Sequence, residues 1–437
     1  MPAYAGPPGL AFDHLNLGWA IMDDPQEHRA KTIGGTVRTL RRQRGVSLKD
    51  LAEITGISVG YLSMVENGKR FLANSVFIES IASALRVSPA ELTGQPVAPL
   101  DPSTGGAHAA VPALRLALMG LAVPGPVGDR LPDDPVQMLA ARVSRANNLY
   151  HASEYATLAV ELPSLLADLH TAVGISHGLV RRRLLQLLAG AYHPACVLLL
   201  KNLGYPDLAY VAVTRAAEVI AELEDPAYGA LSDFFTAHVL LAAGSPEQAL
   251  VRTAAAISDL EGHLGAGRAP QALLGELHLL SATAITRDKT RTGEARRLDA
   301  GTHLSEAEQL ARRTGESRDW HLNFGSTNVA IHRVSLNASL GRHGDAVVAG
   351  DSLDPEAITA PGRRMAFHSD LAKALAHLRG RESDALRELL NAEEIAPQRL
   401  RVDPLVRDCV AYLLGRQLSA HNRRDLRGLA HRVGVLS

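Results

Sequence analysis

Only two cysteines, Cys196 and Cys409, occur in 437 residues, and they lie far apart. Such sparse usage excludes a disulfide-stapled scaffold and predicts two buried, apolar thiols in a reducing compartment. Aromatic residues are scarce at 4%, while apolar residues reach 46% with Ala and Leu foremost, the balance of stacked helices rather than sheets. No charged-then-apolar segment opens the chain and no uninterrupted apolar run reaches bilayer-spanning length, so a cytoplasmic protein is expected. Catalytic signatures are missing as well. There is no phosphate loop, no paired His of the HExxH kind and no Cys cluster; Gly265-Ala266-Gly267-Arg268-Ala269-Pro270 puts Pro where a helix would have to run, and the 18 His are scattered. The expectation is a protein without catalytic activity, cofactor or metal site.

Net charge is also nearly absent, at −1, but the charges are unevenly placed. Residues 31–95 hold nine Lys or Arg against five Asp or Glu, net +4, which leaves 36 against 41, net −5, for the remainder. A basic module on an acidic body confines phosphate attraction to one end.

That basic stretch carries the clearest punctuation in the chain. Ser47 precedes an apolar-periodic run at 48–54 and predicts a capped helix with Asp50 in its first turn, ended by Gly56. Ser58 predicts a second cap, for a helix over 59–66 stopped by Asn67-Gly68. Ala52, Ile57, Leu62 and Val65 fall where two short helices crossing steeply must touch, which is the requirement of a helix-turn-helix. Over residues 33–92 the stretch resembles the Cro and lambda-repressor type of helix-turn-helix, the XRE family. The likeness is carried by Leu40-Arg41-x-x-Arg44, Ser47, Leu51-Ala52, Gly56-Ile57-Ser58, Tyr61-Leu62-Ser63, Val65-Glu66-x-Gly68, Ile81-Ala82-x-Ala84-Leu85 and Ser88-x-x-Glu91-Leu92.

The resemblance implies five short helices and double-stranded DNA as partner, with a dimer on a roughly palindromic operator. It implies DNA contacts at Ser47, Lys49, Ser58, Val59, Gly60, Tyr61, Ser63, Met64, Asn67, Lys69 and Arg70, and a phosphate contact at Arg41 or Arg42. Two departures weaken base reading. Leu48 stands where the family usually has Gln, and Val59, Gly60, Ser63 and Met64 lack the Arg, Gln or Asn forks that grip base edges.

Residues 1–30 begin Pro-Gly-rich and read as a flexible arm, whose apolar part either packs as a short helix or stays loosely held. Residues 96–135 read as a linker with a short helix at 112–121, which leaves the basic module mobile. From 136 to 437 the pattern is helical and repeats. Gly204-Tyr205-Pro206-Asp207-Leu208-Ala209 returns forty residues on as Gly244-Ser245-Pro246-Glu247-Gln248-Ala249; Gly341-Arg342-His343-Gly344-Asp345-Ala346 returns thirty-nine on as Gly380-Arg381-Glu382-Ser383-Asp384-Ala385. Such units bury their apolar faces only by stacking, so the fold class expected is all-α: a helix-turn-helix domain followed by a tetratricopeptide-like solenoid with a concave inner surface. Residues 287–305 break the period and predict an enlarged loop.

The same region is similar to the helical-repeat domain of many actinobacterial regulators, on Asp319-Trp320-x-x-x-Phe324-Gly325-x-Thr327-Asn328-Val329-Ala330-x-His332-Arg333-Val334, Glu393-x-x-Ala396-Pro397 and Arg401-x-x-Pro404-x-Val406-Arg407. That likeness implies a cytosolic transcriptional regulator whose repeats dimerise and sense a small molecule, a short peptide or a partner protein. Helical spacing puts Asn328, His332 and Ser335 on one face near Trp320 and Phe324, a candidate ligand groove with Arg333 at its edge. Arg363-Arg364 with His368 form a second, anion-type candidate, while Arg181-Arg182-Arg183 read as a solvated face. An interaction scaffold with little sequence-specific DNA binding is the alternative reading.

Overall fold

The computed structural model describes residues 32–72, 74–96, 102–120, 134–262 and 267–436, and the arm at 1–30 lies outside them. Among the described residues there are helices and a single isolated bridge, Ser317 to Phe324, with no strand. The head comprises α1 (Ile33–Gln43), α2 (Leu48–Thr55), α3 (Val59–Glu66), α4 (Ser75–Ala84) and α5 (Pro89–Thr93). Its helix starts are those that the serines and asparagine dictate. Ser47 and Asp50 close a reciprocal capping box, and the side chains of Ser58, Asn74 and Ser88 accept the N–H groups of Tyr61, Val76 and Glu91. Gly56, at φ +67°, ends α2 in the left-handed conformation, as the turn of a helix-turn-helix requires.

The body runs through α6 (Pro102–Leu118), α7 (Pro135–Ala152), α8 (Tyr155–Ile175), α9 (Gly178–Gly190), a π-turn at Ala191–Cys196 and α10 (Val197–Asn202). It continues with α11 (Pro206–Ala221), α12 (Pro226–Ala242), α13 (Pro246–Glu261), α14 (Arg268–Arg287), α15 (Gly293–Thr314) and α16 (Ser326–Ser339). Last come α17 (His343–Asp351), α18 (Pro361–Ala376), α19 (Glu382–Ile395), α20 (Pro397–Arg401), α21 (Pro404–Leu414) and α22 (Ala420–Arg432). From α11 to α19 each helix packs on the next, and α12, α14, α16 and α18 also pack on one another in turn. Those four therefore form an inner layer with α13, α15, α17 and α19 outside it, which is the two-layer construction of an α-solenoid. The repeated glycines explain the turns: Gly204, Gly244, Gly341 and Gly380 all have φ between +75° and +87°, just before α11, α13, α17 and α19. α18 also touches α7, so late repeats close back on early ones.

Three expectations need correction. Residues 287–305 are mostly helix, because Thr292 caps α15 and Asp288 with Asp299 anchors Arg291 across a tight turn. The stretch read as a linker contains a 17-residue helix, α6, which packs on α8 and buries Ala107, Val111, Leu114 and Leu118 in the main core. The head, expected to be mobile, is docked. Buried Asp408 of α21 accepts the backbone N–H groups of Ile33 at 3.0 Å and Leu72 at 3.1 Å, and Phe71 inserts between His377 and Tyr412 of the body.

Cys196 and Cys409 are both free and buried, as expected of apolar thiols. The helices Tyr155–Ile175 and Gly178–Asn202 are long and apolar enough on average to cross a bilayer, but Glu161, Asp168 and Arg181 to Arg183 interrupt them, and 50% and 83% of their most apolar windows lie inside the fold.

Close packing at Gly275 supplies a test of the inner layer. A Cβ there would lie 2.0 Å from the tip of the Phe324 ring, which is wholly buried. Gly275→Ala should lower stability by about 1–3 kcal/mol, read as a fall in the midpoint of thermal unfolding.

Candidate nucleic-acid interface and repeat cavity

In the head, Ala52, Ile57, Leu62 and Val65 are all buried where α2 and α3 meet, together with Val37 and Leu51. This seam fixes α3 with its other face outward. Val59 is 44% and Met64 37% exposed, and a Cβ on Gly60 would meet no atom, so an apolar patch of low relief stands free to approach a groove. Ser47, Lys49, Ser58 and Lys69 are exposed around it, while Ser63 and Arg70 are half-buried. Arg416 of the body donates to the Lys69 carbonyl oxygen at 2.9 Å, which holds the loop after α3 in place without using its ammonium.

Three residues from the predicted contact set have other work. Arg41 grips Glu66 with two charge-assisted bonds of 2.6 and 2.8 Å and donates a third to the Val46 carbonyl, so its guanidinium is spent on joining α1 to α3. That pairing raises its pKa still further. Arg42, exposed beside it, is the residue of that pair left open to a phosphate. Tyr61 packs edge-on against Phe77, and burial pushes its phenol up. The Asn67 side-chain amide donates to the Ser63 carbonyl at 2.8 Å, closing the end of α3. The Arg41–Glu66 pair was legible only as an Arg and a Glu in separate helices; nothing local in the sequence joins them.

In the body, the inner layer surrounds a cavity of about 460 Å³. α12 contributes Phe234 and His238, α14 Glu276 and Arg287, α16 His332 and Ser335, and α18 Arg363 and Asp370; Lys201 of α10 and Arg399 of α20 close it. Burial, with Arg363 nearby, pulls His332 down to about 3, so it faces the cavity as a neutral imidazole. The ligand groove expected from the sequence is thus only partly assembled. His332 and Ser335 reach the cavity. Asn328, one turn earlier, is buried between Glu276, to which it donates at 2.8 Å, and Arg363, from which it accepts at 2.8 Å, and it lines a second, adjoining cavity of about 390 Å³.

Trp320, Phe324 and Arg333 lie elsewhere. Trp320 sits on a one-turn 3-10 segment against the edge of Tyr228, Phe324 is sealed beneath α14 at Gly275, and Arg333 points outward to Glu308. The predicted anion cluster also separates, since Arg364 pairs with Glu356 at 2.7 Å and His368 with buried Glu388 at 2.7 Å, leaving Arg363 alone on the cavity. Lys201, Arg287 and Arg399 escaped the sequence reading because they come from three distant helices and share no motif. Arg181 is paired with Glu222 and Arg182 donates to the Leu223 carbonyl, which ties the basic run of α9 to the end of α11.

Residues 32–93 match the family described as helix-turn-helix domain. Over 57 residues the chain is 33% identical to the HTH-type transcriptional repressor RghR of Bacillus subtilis strain 168, a stretch covering 13% of this chain and 42% of that protein. The chain therefore spans less than half the length of that curated relative, and no solved structure matches it. Residues 32–93, with the sharp turn at Gly56 and the outward face of α3, form a helix-turn-helix domain at the head of a helical-repeat body.

Proposed function

We propose that this protein is a cytoplasmic DNA-binding transcriptional regulator of the XRE type, without catalytic activity, whose tetratricopeptide-like body pairs two copies and senses an effector. The observation that carries the reading is the exposure of Val59, Gly60 and Met64 on α3 while the head is docked, so that the face a helix-turn-helix lays into the major groove stays open. In a dimer two such faces would stand about 34 Å apart, one helical turn of DNA. Ser47, Ser58, Lys69 and Arg42 would meet phosphates, and Val59 or Met64 would touch thymine methyl groups. The docked head supports coupling between the two parts: α21, which holds the head through Asp408, begins at Asp403 and Pro404 on the cavity wall.

The test is DNA affinity of a Met64→Ala, Lys69→Ala double variant across a salt series. A loss of about ten- to a hundredfold is expected, with the slope of log affinity on log salt reduced by about one. Unchanged affinity and slope would place the DNA contact elsewhere.

A further inference from the structure

Four cations and three carboxylates line the body cavity, and three of the cations, Lys201, Arg287 and Arg399, have no carboxylate partner there. Lys201, Arg287, Arg363 and Arg399 reach it from four different helices. The Lys201 ammonium makes no hydrogen bond or ion pair with any described residue, and burial plus the three guanidinium groups pull it down to about 7. Arg287 donates to the Leu241 carbonyl at 3.3 Å and Arg399 to the Gly362 carbonyl at 2.5 Å, neither to a carboxylate. Arg363 donates to Asn328 and stands 3.9 Å from Glu276.

The three carboxylates on the wall are committed elsewhere. Asp370 pairs with Lys373 at 2.7 Å, Asp403 accepts the N–H groups of Leu405 and Val406 at the start of α21, and Glu276 takes the Asn328 amide. Asp370 and Asp403 favour the charged form of Arg399 through space but form no ion pair with it. Holding cations together in a cavity is unfavourable unless something anionic enters.

We propose that this cavity binds a small organic anion, one bearing a phosphate or clustered carboxylates, with Lys201, Arg287 and Arg399 as the residues that contact its charge. The guanidinium forks suit planar or tetrahedral oxyanions, Lys201 becomes a compact point charge as an entering anion draws a proton onto it, and neutral His332 with Ser335 adds uncharged polar partners. The volume of about 460 Å³ is that of a metabolite site. The inference deepens the sensor role proposed above and rests on it only for its biological consequence.

Calorimetric titration of the intact protein with pyrophosphate, and separately with citrate, each against sodium chloride of equal ionic strength, tests the proposal. Saturable one-to-one binding of at least one anion is expected; pyrophosphate alone would indicate phosphate chemistry, and citrate alone carboxylate chemistry. Lys201→Met and Arg287→Gln should each weaken binding about tenfold or more, while Arg333→Gln on the outer surface should not change it. Lys201→Met should melt no lower than the parent, because it removes an uncompensated cation. No saturable binding of either anion, or equal affinity in Lys201→Met, would overturn the proposal. Anion binding that leaves DNA affinity unchanged would uphold the site and count against the sensor role, so the two can fail separately.

Discussion

Gly34→Ala should unfold the head while leaving the body helical. An added Cβ on Gly34 would stand 2.2 Å from the carbonyl oxygen of Val65 and 2.8 Å from its carbonyl carbon, and both atoms belong to the backbone of α3. No rotamer change relieves a backbone clash, so α1 and α3 must move apart, breaking the Arg41–Glu66 bonds and opening the core at Val37, Leu62 and Val65. Overpacking of this kind costs about 3 kcal/mol or more, a large share of what a domain of this size holds. Circular dichroism should show a small early transition separated from the main one, and DNA affinity should vanish. Gly60→Ala makes the contrast: its Cβ meets no atom, and removing an exposed helical glycine should stabilise α3 by about 0.5–1 kcal/mol. Equal unfolding curves for Gly34→Ala and the parent would show that α1 and α3 do not approach as described.

Acid should unfold the protein well before carboxylate protonation alone would. Burial, the leading cause in each case, pulls His151, His278 and His377 down to about 4 and His193 and His332 down to about 3, and it lowers His238 in the same sense. Each of these imidazoles is neutral in the folded state, so below pH 6.5 the unfolded chain takes up protons that the fold refuses. Stability is therefore lost as pH falls from 6.5 towards 4. Asp408, raised to about 6, and Glu79, raised to about 7, oppose this, as do Asp233 and Glu276, because burial makes each easier to protonate in the fold and they add stability over part of the same window.

These carboxylates do not offset the six imidazoles, although His151, His238 and His332 open on the cavity, where solvent softens their share. Near pH 5.5 the unfolded chain should bind about two to four more protons, a loss of about 3–5 kcal/mol per pH unit. Denaturant unfolding at pH 7.5, 6.5 and 5.5 would show the decline. Constant stability across that range would mean that these side chains are solvated.

Local features were the legible ones. Ser47 and Ser58 announced helix starts, Gly56 the turn, and the paired glycines from Gly204 to Gly380 the repeat boundaries, because a cap or a left-handed residue acts within a few positions of itself. Features that depend on distant chain segments were not. Asp408 meets Ile33 across 375 residues, and no pattern around Arg407-Asp408-Cys409 marks it as a latch for the head. Face arithmetic on α16 placed His332 and Ser335 correctly, yet it could not show that Asn328 would be consumed by Glu276 and Arg363, nor that Phe324 would vanish under Gly275. The stretch at 287–305 looked like a loop because it breaks the repeat period, and it is mostly helix because Thr292 and the Asp288–Arg291 turn restart the chain.

The residues proposed to read DNA from α3, Val59, Gly60 and Met64, offer shape and methyl contacts and no bidentate fork. Selection of bound fragments from genomic DNA with the intact protein tests that assignment most directly. An enriched sequence is predicted, with two half-sites about 10 base pairs apart from centre to centre, lost in the Met64→Ala, Lys69→Ala variant. Recovery of fragments with no common sequence would contradict a regulator that reads DNA through α3 and would leave the protein as an interaction scaffold.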